Sequence, residues 1–428
     1  MKYISTHRNA PPVGVSEAIK AGLAPDGGLY IPAKHIAFHD RALAPSLEFP
    51  VRAIELLMPL FEGDRAVSLL SAICREAFSF PVPLRWRDKE QAVLELFHGP
   101  TLAFKDVGAR FLASFLDHTA PADAPPVTIL VATSGDTGGA VAAAFAGKLS
   151  ARVFVFFPQG RVSERQRAQL TCWGGNVTSF SVRGSFDDCQ SLVKEALATP
   201  FLADRFRLTS ANSINLGRLL PQVTYYAHAA AGFLARTGEK PLIIVPTGNV
   251  GNVTAAFWAR AWGAPIGEIV LAVNANRAIP DFLATGEYRP RPSVPTLANA
   301  MDVGNPSNLE RLRCLFPDFD ALRQAVRAYS VSDDEIRNTI RDVFSESGEV
   351  LCPHTAVAEH VRCRYYPDRP AIIVATAHPA KFETIVEPLI GRPVPVPPAL
   401  AELLTRPRFE QELDPAGIRL SDWEHLLS

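Results

Sequence analysis

Thr128-Ile129-Leu130-Val131-Ala132-Thr133-Ser134-Gly135-Asp136-Thr137-Gly138-Gly139 is an apolar run that breaks into a polar, glycine-rich loop, with a helical segment beginning near Ala140. A short, wholly apolar run bounded by a turn reads as a strand buried on both faces. The theme recurs. Residues 152–157 lead into Pro158-Gln159-Gly160, and residues 242–245 lead into Pro246-Thr247-Gly248-Asn249-Val250-Gly251-Asn252. Residues 269–273 and 371–375 are further apolar runs of the same kind. Strands of this type belong in the middle of parallel sheets covered by helices. One group lies before about Asn215 and one after, which predicts an α/β fold of two facing parallel-sheet lobes. In such sheets ligands bind at the C-terminal ends of the strands, where the polar loops fall.

The bulk numbers agree with a soluble enzyme and exclude other classes. The chain has 428 residues, 47% hydrophobic and 20% charged, enough for two or three domains. With 43 Lys+Arg against 44 Asp+Glu and no long basic run, nucleic acid is not an expected partner. The first residues lack the apolar core of a signal peptide, and no stretch is apolar enough for a membrane span, so a cytoplasmic location is expected. Six scattered cysteines without a C-x-x-C pair suggest neither a zinc site nor a disulfide framework, and they read as reduced thiols.

The stretch richest in chemistry is Phe97-His98-Gly99-Pro100-Thr101-Leu102-Ala103-Phe104-Lys105-Asp106. Val107, Phe111, Leu112, Phe115 and Leu116 follow at helical spacing, so Lys105 stands at a helix start. Desolvation by Leu102 and Phe104 and the positive helix end both favour the neutral amine, a nucleophile. The end charge contributes only about 0.3 to 1 kcal/mol, so burial or bonding to an aldehyde must do most of the work. A solvated lysine at a helix end is the ordinary alternative.

Other loops offer anion sites. The glycines of residues 247–252 let backbone N–H groups converge at a helix N-terminus, although a plain strand-to-helix turn would read the same way. Asp136 reads equally as an N-cap, and Thr376 in Ala375-Thr376-Ala377-His378-Pro379-Ala380-Lys381-Phe382 as a helix cap. Arg161, Ser163 and Gln166 could line the rim of one helix, and Asn212, Ser213 and Arg218 lie close together in sequence. Arginine suits a phosphate bidentately, but a surface salt bridge is the competing reading. His98, His354 and His378, each beside Gly or Pro, read as structural.

Taken together, H-G-P-T-L-A-F-K-D, A-T-S-G-D-T-G, the G-N-V-G-N loop, S-A-N-S-I-N and A-T-A-H-P-A-K-F occur in the order found in threonine synthases. The N-terminal Asp26-Gly27-Gly28-Leu29-Tyr30 turn also resembles that family. The resemblance spans nearly the whole chain. It implies a fold-type II (tryptophan synthase β-like) pyridoxal 5'-phosphate enzyme with an N-terminal domain at 1–85. A smaller lobe carrying the lysine would follow at 86–215, a larger lobe with the cofactor-phosphate loop at 216–394, and a helical tail at 395–428.

By the same resemblance, Lys105 forms the Schiff base with the cofactor and acts as base and acid. Gly248, Asn249, Val250, Gly251 and Asn252 hold the cofactor phosphate. Thr376 meets the pyridine nitrogen and Asp136 lies beside the phenolic oxygen. Ser134, Gly135 and Thr137 receive the substrate carboxylate; Arg161, Ser163, Asn212, Ser213 and Arg218 surround the substrate phosphate. The implied reaction converts O-phospho-L-homoserine and water to L-threonine and phosphate, with no metal and with a monomer or homodimer equally open. A phospho-lyase on a similar phosphorylated amine would need the same constellation. A non-catalytic binding protein of the same fold is a further alternative, and an intact Lys105 argues against it. A dinucleotide enzyme is disfavoured because neither loop reads G-x-G-x-x-G.

Overall fold

In the computed structural model, which describes residues 1–415, 418 and 420–427, strands β1 (Tyr3–Ser5) and β2 (Tyr30–Pro32) pair antiparallel. Asp26 fixes the turn before β2. Its Oδ1 accepts from Ser5 Oγ at 2.7 Å and from Gly28 N at 3.0 Å, and its Oδ2 accepts from Asn9 N at 2.9 Å. Helices Phe49–Leu57 and Leu70–Ala77 complete this first domain and bury Leu56, Leu57, Leu70 and Ile73.

The rest of the chain supplies β3 (Leu84–Trp86), β4 (Gln91–Glu95), β5 (Val127–Ala132), β6 (Ala151–Pro158), β7 (Val177–Val182) and β8 (Leu208–Ser210). It continues with β9 (Leu242–Pro246), β10 (Ile269–Val273), β11 (Arg327–Ser330), β12 (Ala371–Ala375) and β13 (Gln411–Leu413). Among the described residues, β13, β7, β6, β5 and β8 form one parallel sheet in that order. A second sheet runs β11, β10, β9, β12, β4, β3, and only β3 in it is antiparallel. The long apolar runs occupy the interior places, because only there are both faces and both edges covered. Leu242, Ile243, Ile244, Ala371, Ile372 and Ile373 are accordingly buried.

Chain order and sheet membership part company at one point. Strand β3 straddles the boundary read at 85 and β4 stands at the start of the segment read as the smaller lobe, yet both hydrogen-bond into the sheet of the later segment, β4 beside β12. Only Ala92, Val93 and Leu94 are buried in β4, too short a run to announce an interior strand. Likewise β13, in the tail, closes the edge of the other sheet, and the tail's Trp423 packs edge-on to Phe156 with ring centroids 5.9 Å apart.

Five helices carry the site. They are α1 (Lys105–His118), α2 (Asp136–Phe145), α3 (Glu164–Thr171), α4 (Gly251–Ala261) and α5 (Pro353–Tyr365). Helix α2 begins at Asp136, four residues before the apolar periodicity does, because Thr133 Oγ1 accepts from both Gly135 N and Gly138 N at 2.9 Å and turns the chain early. The six cysteines are free thiols, and no helix among the described residues is long and apolar enough to cross a membrane.

Candidate active site

One cleft gathers the ends of β5, β9 and β12. Ala132, Thr133, Pro246 and Thr376 line it, together with Lys105, Asp136, Arg218, Asn252 and His354. The lysine segment and the threonine segment are stitched to each other by backbone. Phe104 N donates to Thr376 O at 2.8 Å, His378 N to Leu102 O at 3.0 Å, and Leu96 N to Ala375 O at 3.0 Å; Ala103 and Ala377 form an antiparallel bridge. Leu102 takes a left-handed φ of 59° immediately before this junction. Such a conformation costs about 1 to 3 kcal/mol and persists only where the surroundings enforce it. The turn is locked from within by the buried Asp106, which accepts from Thr101 N at 2.9 Å and Thr101 Oγ1 at 2.6 Å.

Lys105 is the first residue of α1, and its Nζ lies 4.4 Å from the Phe104 ring centroid. Among the described residues Nζ makes no hydrogen bond. Burial pushes its pKa down to about 8; the Asp136 carboxylate opposes that shift, while Arg218 and Lys381 reinforce it. An amine poised there is neutral far more often near pH 7 to 8 than an ordinary lysine.

Arg218 is buried, and burial lowers its pKa to about 10. Its Nη1 donates to Ala211 O, whereas its Nε is buried without a partner. Asn252 repeats the pattern. Its Oδ1 accepts from the hydroxyls of Tyr225 and Tyr226, the latter at 2.8 Å, and its buried Nδ2 has no partner. Asn212 donates to Ala132 O at 3.3 Å and leaves Oδ1 unpartnered. Orphaned polar atoms are costly in a protein interior, about 1 to 3 kcal/mol each. Several around one cleft mark it as shaped for a polar guest.

The loop before α4 supplies the matching backbone. Val250, a β-branched residue, sits at φ 63° as the N-cap, and the N–H groups of Gly251, Asn252 and Val253 have no intrahelical acceptor. Gly248 leaves no room for a side chain: a Cβ there would lie 2.6 Å from Met301 Cα. Asn249 is spent within the loop, while the Ser213 hydroxyl serves as an acceptor. Asn249 Nδ2 donates to Ser213 Oγ at 2.6 Å and Asn249 Oδ1 accepts from Ser307 N at 2.6 Å; Asn308 Nδ2 also donates to Ser213 Oγ at 3.2 Å. Thr376 is buried at the cleft, and its hydroxyl makes no hydrogen bond among the described residues.

Ser134, Asp136 and Thr137 line the same cleft, with Gly135 between them at the N-cap of α2. Asp136 is held by Lys381, whose buried Nζ lies 2.8 Å from Oδ1, and by Gln166 Nε2 at 3.1 Å. This pairing, chiefly with Lys381, keeps the Asp136 carboxyl down at about 2 against the opposing effect of burial. Arg161 and Ser163 stand farther out. They line an adjoining hollow that shares Ser134 and Phe186 with the cleft. Arg161 is exposed, and the Ser163 hydroxyl caps α3 through Gln166 N at 3.1 Å while donating to Lys381 O at 2.9 Å.

Sequence reasoning assigned no role to Lys381 or Gln166 in a charge network, nor to the Tyr225–Tyr226 pair. Lys381 stands in a motif already singled out, and its place between Ala380 and Phe382, both buried, was the available signal. His354 lines the cleft, whereas His378 does not. Their ring nitrogens accept from Ala300 N and Ala380 N at 3.1 Å, and burial drives both pKa values to about 4.

Comparison with known proteins agrees with this geometry. Residues 92–374 match the family of pyridoxal-phosphate dependent enzymes, residues 2–78 the threonine synthase N terminus, and residues 355–420 the threonine synthase C-terminal family. The chain is 39% identical to the threonine synthase of Serratia marcescens over 94% of each chain. The crystal structure of threonine synthase from Escherichia coli superposes with a TM-score of 0.90 at 37% identity, covering 100% of this chain and 98% of that one. The pyridoxal-phosphate-bound threonine synthase from Brucella melitensis gives a TM-score of 0.90 at 36% identity, with the same coverage.

Proposed function

From the premise that this chain belongs to the threonine synthase family of fold-type II pyridoxal-phosphate enzymes, we propose that the residues of the Lys105 cleft turn O-phospho-L-homoserine and water into L-threonine and phosphate. The enzyme is a lyase acting on a phosphate ester, and its cofactor is pyridoxal 5'-phosphate. The observation that carries the assignment of residues is the unpaired amine of Lys105 in one cleft with the orphaned Arg218 Nε and Asn252 Nδ2.

The residues fit that cofactor. The N–H groups that open α4 and Asn252 Nδ2 would hold its phosphate, the Thr376 hydroxyl its ring nitrogen, and Lys105 its aldehyde. When bound, pyridoxal phosphate supplies an aldehyde that captures an amino group and a ring that accepts electrons from the neighbouring carbon. A hydroxyl, unlike a carboxylate, does not hold the ring nitrogen protonated.

Lys105 Nζ, with its lowered pKa, takes the Cα proton and moves protons at Cβ and Cγ. The Asp136 and Thr137 N–H groups of α2, with the hydroxyls of Ser134 and Thr137, donate to the α-carboxylate. Arg218, with Asn212 and Ser213 beside it, attracts the departing phosphate; Arg161 stands at the mouth to draw the substrate in. Phe104 and Met301 exclude bulk water from the cleft. A cytoplasmic location belongs to the same reading, as does a division near 85, 215 and 394 in which β4 crosses to the later lobe and β13 to the earlier one.

The test is to supply O-phosphohomoserine and measure threonine and phosphate together. Equal amounts support the reading. Phosphate with a 2-oxo acid and no threonine would replace it with a phospho-lyase.

A further inference from the structure

Lys105 and Asp136 line the cleft, and the buried Lys381 stands behind Asp136. Lys381, fully buried in the turn Pro379–Phe382, places Nζ 2.8 Å from Asp136 Oδ1 and donates at 2.7 Å to Thr101 O, in the segment that leads into Lys105. The same turn is clamped to the start of α3, because Lys381 O accepts from Ser163 Oγ at 2.9 Å and Ala380 O from Arg165 Nη1 at 2.6 Å. Gln169 Nε2, also on α3, donates to Thr101 O at 3.1 Å. The position of Lys381 is thus fixed from three sides.

Lys105 is faced by Asp136 from α2, by Arg218, by Lys381 and by His354 from α5. Asp136 is the carboxylate among these groups, and His354 is held neutral by burial. In a medium of low dielectric a lysine with a carboxylate partner keeps its proton and one without gives it up.

We propose that Lys381 is a positioning residue for the Lys105 amine: by taking the Asp136 carboxylate as its own partner, it denies Lys105 a counter-ion and leaves Nζ free to condense with an aldehyde. The depressed pKa of Lys105, opposed by Asp136 and reinforced by Lys381, agrees with that division. Removing the Lys381 charge hands the carboxylate to Lys105, which then keeps its proton.

This inference rests on the pyridoxal-phosphate reading of the cleft, and the test separates the two. Apoprotein of the full chain is mixed with pyridoxal phosphate, and the rate of adduct absorbance is followed from pH 6 to 10. The adduct forms when Nζ adds to the aldehyde carbon and water leaves, so the rate tracks the neutral amine. Natural protein that forms no adduct, or K105A that still forms it, ends the underlying reading. With that control passed, K381M is expected to move the midpoint of the rate profile upward by about 1 to 3 pH units, the shift an opposite charge at close range produces. K381R, which keeps the charge, is expected to stay near the natural midpoint, and K381M/D136N, which removes both charges, to return to it or below. A K381M profile that superposes on the natural one overturns the proposal. Where K381M does not fold, the double variant decides: a midpoint at or below the natural value supports the proposal, and one well above it refutes it.

Discussion

Gly108 and Arg218 are in contact about one turn along α1 from Lys105. A Cβ added to Gly108 would stand 2.5 Å from the Arg218 carbonyl oxygen and 3.0 Å from its Nε. The helix that presents the lysine and the arginine proposed to receive an anion are therefore set against each other without an intervening side chain.

G108A must push that backbone away. Overpacking of this kind costs about 1 to 3 kcal/mol. Chemical denaturation should show a loss of that size, and the Michaelis constant for the phosphorylated substrate should rise because Arg218 is displaced.

Arg218 carries a buried charge that Asp106 offsets through space, with its Nε left without a partner. R218M should leave the stability of the apoprotein unchanged or raise it, because the desolvated cation is gone. Turnover should suffer in the opposite sense. A charge-assisted hydrogen bond contributes roughly 1.5 to 3 kcal/mol, so kcat/KM for O-phosphohomoserine should fall about 10- to 150-fold. Steady-state kinetics beside a melting curve would show both effects.

Asn252 joins the two tyrosine hydroxyls to the cleft. N252L should remove the acceptor that Tyr225 and Tyr226 share, leaving Tyr225 with Gln222 Oε1 at 3.0 Å, and remove the Nδ2 donor. The expected outcome is a stability loss of about 1 to 3 kcal/mol and weaker retention of pyridoxal phosphate on dialysis, whereas S213A should weaken the loop that Asn249 anchors without removing a donor from the cofactor.

Acid should destabilise the fold through its histidines. His354 and His378 have folded pKa values near 4, below the ordinary 6.5, so between those values the unfolded chain binds more protons. Stability is fully present above pH 6.5 and falls as pH drops toward 4. Lys105 acts on the other flank: its pKa is lowered from 10.5 to about 8, so the apoprotein gains stability as pH rises from about 8 to 10.5. Denaturation midpoints of the apoprotein across pH 4 to 10 would show both slopes, and H354Q should flatten the acid one.

Much of this was legible before the structure. The apolar runs became β5, β6, β9, β10 and β12, and Lys105 opens a buried helix as its surroundings required. Strands β3, β8 and β13 have three residues each and β4 only three buried ones, too few to declare themselves, and β4, β8 and β13 pair with strands far away in sequence. The polar side chains were harder still. Nothing in the order of residues tells that the hydroxyl of Ser163 is committed to capping α3, that Ser213 and Asn249 bind each other, or that Lys381 faces Asp136. Such choices are made by tertiary approach, which a loop motif does not encode.

Because Gln91 pairs with Ala371 and Phe180 with Gln411, neither sheet can be finished by the portion of the chain that starts it. During synthesis the lysine-bearing helix therefore leaves the ribosome long before the strand that anchors its approach, and β4 waits as an open edge. Capture of the aldehyde belongs to the last moments of biogenesis, so a prematurely terminated polypeptide would be released without an assembled pocket instead of as a half-working catalyst.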